Sequence, residues 1–154
     1  MRSPYATLAA LVAASLFEVA PPRPAPATRA QDVKVVATLV ASGGGRLQGT
    51  LTLTKGRREG ETRARVEILN GPSNAQLGWI IRKGQCGERG AEVGPLAAYR
   101  PLQTRGDGSV ELSVNLPIAM PSGDAYHVDI LLERGSDTVI ACGGLSVDTV
   151  KKDG

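Results

Sequence analysis

The stretch that decides the fold is residues 46–69, RLQGTLTLTKGRREGETRARVEIL. Its first half alternates apolar and polar residues, with Leu51 and Leu53 on one side and threonines on the other. Residues 62–69 alternate in the same way. A period of two residues is typical of a β-strand with one buried face. The charged, Gly-containing segment 55–60 between the two halves predicts a hairpin turn.

The same pattern continues along most of the chain. The segments with strand character are 33–41, 46–54, 62–69, 77–83, 109–116, 125–133 and 138–147. Turns rich in Gly or Pro separate most of them, and residues 84–108 are expected to form a long irregular connection. Segments spaced roughly ten residues apart, without helical periodicity, predict an all-β fold. We expect an antiparallel Greek-key β-sandwich or flattened barrel of about 8 strands, immunoglobulin-like in class.

Composition excludes several classes of protein. The 154 residues suit one domain, and no apolar run is long enough to cross a membrane as a helix. With 2 Cys and 1 His, the chain cannot form a zinc finger or a site of several histidines. No His lies near a Ser or Cys in the sequence, so a His-based catalytic triad is unsupported.

The first 30 residues differ from the rest. Residues 7–17, TLAALVAASLF, form an apolar run of secretory length, and the Pro-rich segment PPRPAPATRA follows at 21–30. We interpret residues 1–30 as a signal peptide and Pro/Ala-rich segment cleaved near 27 or 30, with an amphipathic helix as the alternative. The β-sandwich domain then spans 31–150, and 151–154 form a disordered tail. Export implies a periplasmic or extracellular location.

Export affects the net charge of the mature chain and the redox state of its cysteines. Removing residues 1–27 leaves 16 basic and 14 acidic side chains, too nearly neutral for a nucleic-acid-binding protein. Cys86 and Cys142 meet an oxidising compartment, which favours a structural disulfide over a reactive thiol pair.

Four short stretches carry a family resemblance. Residues 77–87, LGWIIRKGQCG, resemble a metal strand of the form Gly-aromatic-His-x-His followed by a Gly-x-Cys-Gly turn. Residues 93–102 resemble the next loop, 106–108 a later turn, and 139–145, VIACGGL, a closing Ala-Cys-Gly motif. Together they resemble the copper/zinc superoxide dismutase-like β-sandwich family, which includes bacterial relatives near the chordin-type domains. The resemblance covers roughly residues 33–149.

The chemistry of that family is missing from the matching positions. Two histidines at i and i+2 share one face of a strand and can ligate one copper, but these positions are Ile80 and Arg82. The third copper-ligand position matches Leu131, and the active-site Arg position matches Val139. Residues 84–108 contain no His to serve as a bridging or zinc ligand. Because these positions have lost the family's functional side chains, we expect no catalytic residue, no bound metal and no cofactor.

Two aromatic or titratable residues have competing interpretations. His127 shares a strand face with Asp129, away from apolar Val128 and Ile130. We expect a surface His127, with a metal ligand or pH sensor as the alternative, because two ligands on one strand do not make a site. Trp79 alternates with apolar neighbours, which favours a core residue over a ligand-stacking anchor.

A basic cluster surrounds the predicted hairpin. It consists of Lys55, Arg57, Arg58, Arg63 and Arg65, interleaved with Glu59 and Glu61. Such a cluster can dock an anionic surface, or it can be a solvated edge whose charges prevent aggregation.

These observations predict an exported pseudoenzyme with a structural or binding role. Its partner would be an envelope or extracellular polymer or protein, and its edge strands permit a homodimer. One alternative is a divergent copper/zinc-binding superoxide dismutase or copper-binding protein. Another is an adhesion module that uses the Arg-rich hairpin.

Overall fold

The computed structural model describes residues 20–24, 33–121 and 125–148. The chain divides into two compact units, residues 1–30 and 31–154. In the first unit, residues 20–24 are exposed and lack regular secondary structure. The apolar run of the expected signal peptide and the whole expected tail 151–154 lie outside the described residues, so both stay predictions.

The described part of the second unit consists of nine β-strands and one short 3-10 helix. The strands are β1 (Lys34–Ala41), β2 (Gln48–Lys55), β3 (Thr62–Leu69), β4 (Gln76–Lys83), β5 (Leu102–Gln103), β6 (Val110–Leu116), β7 (Tyr126–Leu131), β8 (Val139–Gly144) and β9 (Ser146–Asp148). The helix, Leu96–Ala98, lies in the long connection after β4. The two-residue β5 falls in the same connection, which was expected to be irregular, and it raises the strand number above eight.

The strands form one antiparallel sheet that is nearly closed into a barrel. Their order is β5-β4-β7-β8-β1-β2-β3-β6, with β9 also paired to β1. Because β3 pairs with β6 and β4 pairs with β7, the chain crosses the barrel between β3 and β4. This crossover is the connection expected of a Greek key. The prediction of an all-β, antiparallel flattened barrel is confirmed.

The half of the barrel around β2 and β3 follows the sequence pattern. The two strands pair in register over their whole length, with Leu53 opposite Ala64 and Thr52 opposite Arg65. Leu53 and Ala64 are fully buried in the core, whereas Arg65 is exposed on the outer face. One face of this half therefore contacts solvent, as the alternation predicts.

The half around β4 and β7 is buried on both faces. In β7, Val128 and Ile130 lie in the core, and His127 and Asp129 on the opposite face are buried as well. Segment 84–90 of the connection after β4 lies over that face, and the Gly84 carbonyl contacts His127 there. Residues 91–93 of the same connection run along the edge of β4, with Lys83 N donating to the Ala91 carbonyl and Val93 N donating to the Ile81 carbonyl.

Trp79 anchors the core between this connection and the sheet. It is almost fully buried, and its Nε1 donates to the Arg100 carbonyl at 2.8 Å. Its ring meets that of Tyr99 edge to face, with centroids 4.9 Å apart. The Tyr99 hydroxyl donates to the Val93 carbonyl. The prediction that Trp79 is a core residue is confirmed.

Candidate functional site at the disulfide

The outer face of β4, β7 and β8 holds a patch of polar side chains next to the disulfide. Ile80 pairs with Asp129, which pairs in turn with Cys142 on β8. Two residues further along β4, Arg82 pairs with His127. Paired residues of an antiparallel sheet lie side by side on one face, so these five side chains form one surface. We call it the outer patch.

A disulfide joins Cys86 to Cys142, with the two Cα atoms 5.9 Å apart. Cys142 is half-buried in β8, and Cys86 lies in the exposed turn after β4. The bond therefore holds the segment 84–90 over the outer patch. It closes a loop with a sequence separation of 56, for which chain entropy predicts about 4 kcal/mol of stabilisation. The structure supports the predicted pairing.

His127 is fully buried, so the expectation of a surface histidine is wrong. The face was predicted correctly, because His127 lies opposite core residues Val128 and Ile130. The segment 84–90 covers that face, however. Nδ1 of His127 lies 2.9 Å from the Gly84 carbonyl oxygen and donates to it. Alternation along a strand indicates the side of a residue but not what covers that side.

The other ring nitrogen of His127 has no hydrogen-bond partner. Nε2 is one of two buried side-chain nitrogen or oxygen atoms in this state among the described residues, and the other is Nε of Arg82. Both atoms point toward Oδ2 of Asp129, at 3.5 Å from His127 and 3.4 Å from Arg82. Buried polar atoms are rarely left in this way, so their shared position marks the centre of the patch.

Asp129 is a carboxylic acid held in a poorly solvated position. It is 5% exposed. Burial raises the pKa of Asp129, because the charged form loses solvation, while the nearby His127 and Arg82 act in the opposite direction without cancelling the effect. Nε of Arg82 and Nε2 of His127 both lie near the carboxyl group, but neither is close enough to Asp129 to make a strong hydrogen bond.

Arg82 extends from the patch toward solvent. One terminal nitrogen lies 3.5 Å from Glu92 Oε1, and the other contacts the Gly90 carbonyl at 3.5 Å. Its guanidinium therefore links β4 to the covering segment as well as to Asp129. This arrangement gives Arg82 a role in holding the connection in place.

A cavity of about 380 Å³ opens beside the disulfide. Both cysteines line it, together with Arg82 and Asp129 of the outer patch. Val139, at the position that the resemblance assigns to an active-site Arg, is also part of the wall. The cavity therefore gives solvent access to the disulfide.

The residues at the resembled metal positions do not fit a copper/zinc centre. Ile80 is fully buried and offers no donor atom, and Leu131 is buried and apolar. Arg82 has a guanidinium that stays protonated and so offers no lone pair to a metal ion. Copper in such a site needs several nitrogen ligands, and these three positions supply none.

One set of possible ligands, which includes a sulfur atom of the disulfide, is not evident from the sequence. Ligand atoms of His127, Asp129 and Cys142 all lie within 4.8 Å of one another. No His lies near a Cys along the chain, but the sheet brings His127 close to Cys142. Pairing of β7 with β8 brings Cys142 beside Asp129. The shared outward side of His127 and Asp129 was the available signal, but the register that adds Cys142 could not be read from it.

The basic cluster lies at the β2–β3 hairpin, and β1 separates β2 from the strands of the outer patch in the sheet order. Lys55, Arg57, Arg58, Arg63 and Arg65 are all exposed. Arg65 is neutralised by Glu67 at 2.9 Å and by Glu111 at 3.0 Å. Within the described residues, no other ion pair involves the cluster. Four of the five predicted cations therefore keep their charge available to solvent.

Among the residues that the structure describes, no helix has the length and apolar character needed to cross a membrane. No family model and no curated protein matches the chain.

Proposed function

We propose that the chain is an exported, non-catalytic β-sandwich of the superoxide dismutase-like type, with a structural or binding role and a lost metal site. The observation that carries this proposal is the ion-paired Arg82 at a position where the resembled family has a metal-ligating histidine. Its guanidinium contacts Asp129 on one side and Glu92 on the other.

The chemistry of dismutation supports the same conclusion. The reaction needs a metal that cycles between two oxidation states, and the metal needs a stable set of ligands. Ile80 and Leu131 are apolar, and Arg82 is cationic. Similarity of fold does not bring the family's activity with it, because activity depends on the residues of the site.

The disulfide supports the exported part of the proposal. Disulfides persist in oxidising compartments and are rare where thiols are kept reduced. The Cys86–Cys142 bond is compatible with a periplasmic or extracellular location.

The test is a measurement of copper and zinc in the oxidised protein after exposure to both metals, with a superoxide dismutation assay on the same sample. We expect each protein molecule to hold less than roughly a tenth of an equivalent of either metal, because only weak surface binding remains without a ligand set. We expect no dismutation activity above the protein-free rate. Stoichiometric copper together with activity would overturn the proposal.

A variant sharpens this test. Ile80→His with Arg82→His restores two histidines at i and i+2 on the outer face of β4. We expect the oxidised double variant to bind copper(II) more tightly than the parent chain. A folded double variant that binds no more copper than the parent would count against the resemblance itself.

A second candidate role is docking to an anionic polymer through the basic hairpin. The observation that favours it is the set of four exposed cations outside any ion pair of the described residues: Lys55, Arg57, Arg58 and Arg63. An anionic polymer of the envelope or of the extracellular space offers the complementary charge.

A further inference from the structure

We propose that reduction of the Cys86–Cys142 disulfide creates a site for one divalent transition metal ion, of the zinc or cobalt type. The four ligands would be the two cysteine thiolates, His127 and Asp129. None of them is at a position that the resemblance assigns to a metal ligand. The inference concerns the reduced chain, whereas the proposed function concerns the oxidised chain, so each can fail without the other.

The positions of the donor atoms support such a site. Ligand atoms of His127, Asp129 and Cys142 lie within 4.8 Å of one another, and the Cys86 sulfur is bonded to that of Cys142. A tetrahedral zinc ion with sulfur, nitrogen and oxygen ligands holds its donor atoms roughly 3.3–3.8 Å apart. Three of the donor atoms therefore lie near the spacing that an ion needs, and the Cys86 sulfur must move to complete the set. Cys86 is in an exposed turn that can supply this movement.

His127 provides an independent indication of a ligand. Its ring is fully buried, and Nε2 has no hydrogen-bond partner although it points toward Asp129. Because Nδ1 donates to the Gly84 carbonyl, the neutral ring has its lone pair on Nε2. Metal-ligating histidines are usually oriented in this way, by a backbone carbonyl at the other nitrogen. A lone pair facing a carboxylate is favourable only with a cation or a proton between them.

The charges of the site balance when the ion is bound. Two thiolates and the Asp129 carboxylate carry three negative charges. A divalent ion and the Arg82 guanidinium carry three positive charges. Arg82 can stay in the patch as a neighbour of the bound ion, because Glu92 and the Gly90 carbonyl hold its other end. Because the ligands, the ion and Arg82 together carry no net charge and Glu92 is exposed to solvent, this partly buried site avoids the large cost of burying an isolated ion.

Disulfide and metal are alternative states of the same sulfur atoms. Thiol–disulfide exchange with a dithiol reductant gives two cysteine thiols in the chain and the disulfide of the reductant. Binding of the divalent ion then displaces two thiol protons to solvent. The cavity beside the disulfide gives the reductant and the ion access to both sulfurs.

The experiment titrates cobalt(II) into the full chain, either oxidised or reduced with a phosphine that does not itself supply thiols. We expect the reduced chain to bind one equivalent, with a thiolate-to-cobalt charge-transfer band that zinc abolishes. We expect the oxidised chain to show no such band. Equal binding in both states, or none in the reduced state, would overturn the proposal.

Variants separate this site from binding by two thiols alone. Asp129→Asn and His127→Gln should each weaken cobalt binding by the reduced chain at least about tenfold, since even residues that only support ligands contribute that much. Asp137→Asn is the matched control, because Asp137 lines the cavity but is outside the ligand set. Unchanged affinity in both ligand variants would overturn the proposal.

Folding of the reduced chain is monitored by circular dichroism in the same titration. A reduced chain that loses its β-sheet spectrum and regains it with cobalt supports the proposal, because metal binding then supplies folding free energy. A reduced chain that stays unfolded at saturating cobalt would overturn it.

Discussion

The two halves of the barrel are both built from antiparallel strands with an apolar core face, but their outer faces have different surroundings. In the half around β2 and β3, the core face is apolar and the outer face carries Arg63 and Arg65 in contact with solvent. In the half around β4 and β7, the outer face carries Ile80, His127 and Asp129, and all three are buried. The outer faces differ in exposure because a connecting segment covers the outer face of β4 and β7, whereas Arg63 and Arg65 on the other half contact solvent.

A polar residue on the outer side of a strand can therefore have two opposite roles. Arg65 on β3 forms ion pairs at the surface, which contribute little to stability. Asp129 on β7 is in a buried cluster, where the loss of one partner leaves another without compensation. The covering segment 84–90 and its disulfide create this difference.

The largest expected effect comes from removing the disulfide. In the Cys86→Ser, Cys142→Ser double variant, the unfolded chain regains the freedom of a long loop. We expect a loss of about 4 kcal/mol in the free energy of unfolding. Urea denaturation followed by Trp79 fluorescence measures it. A loss below about 1 kcal/mol, the size of an ordinary single substitution, would show that segment 84–90 holds its place without the bond.

A matched pair of truncations tests the two outer faces directly. Ile80→Ala removes a fully buried side chain from the outer face of β4, whereas Leu69→Ala shortens one that is 58% exposed at the end of β3. We expect a loss of about 3 kcal/mol for the first variant and no more than about 0.5 kcal/mol for the second. Similar losses in chemical denaturation would contradict the difference between the halves.

Tyr99 makes the covered half sensitive to alkaline pH. Burial raises the pKa of Tyr99 to about 12 from its ordinary value of 10.0. A group whose pKa is raised in the folded state gives its full stabilisation below pH 10 and loses it as the pH rises to about 12. Over this pH range we expect the free energy of unfolding of the parent chain to fall by about 2 kcal/mol more than that of the Tyr99→Phe variant. Parallel stability profiles of the two chains would contradict this expectation.

The smallest effect concerns the exposed half. Arg57→Glu with Arg58→Glu should weaken retention on an anionic polysaccharide matrix, and the parent's retention should fall with added salt because screening shortens the reach of the charges. Stability should change by no more than about 0.5 kcal/mol. Arg65→Gln is the control, because Arg65 is already paired with two glutamates. Salt-independent retention would contradict docking by charge.

Much of the fold could be predicted from local patterns. The alternation in 46–54 and 62–69 placed Leu53 and Ala64 in the core and Arg65 outside, and the structure confirms these positions. The same rule placed Trp79 inward. These predictions succeed because a strand has only two sides, and the apolar side must leave water.

The candidate site was predicted less completely. The positions Ile80 and Arg82 and the cysteine pair were identified, but the proximity of His127, Asp129 and Cys142 was not. Their closeness depends on the register between β7 and β8, which involves residues that are separate in sequence. Burial of His127 depends on the path of the segment 84–90, which has no periodicity to interpret.

By itself, the sequence determined the class of the fold, the side on which most strand residues lie, and the chemistry available to the chain. With a single histidine and apolar or cationic residues at the resembled metal positions, no arrangement of strands restores that family's ligand set. The tertiary structure alone decided which outer face is covered. The alternation along a strand reflects which side of the sheet each residue faces, whereas a covering loop is positioned by contacts between distant residues. Here these contacts are the disulfide and the hydrogen bonds of Gly84.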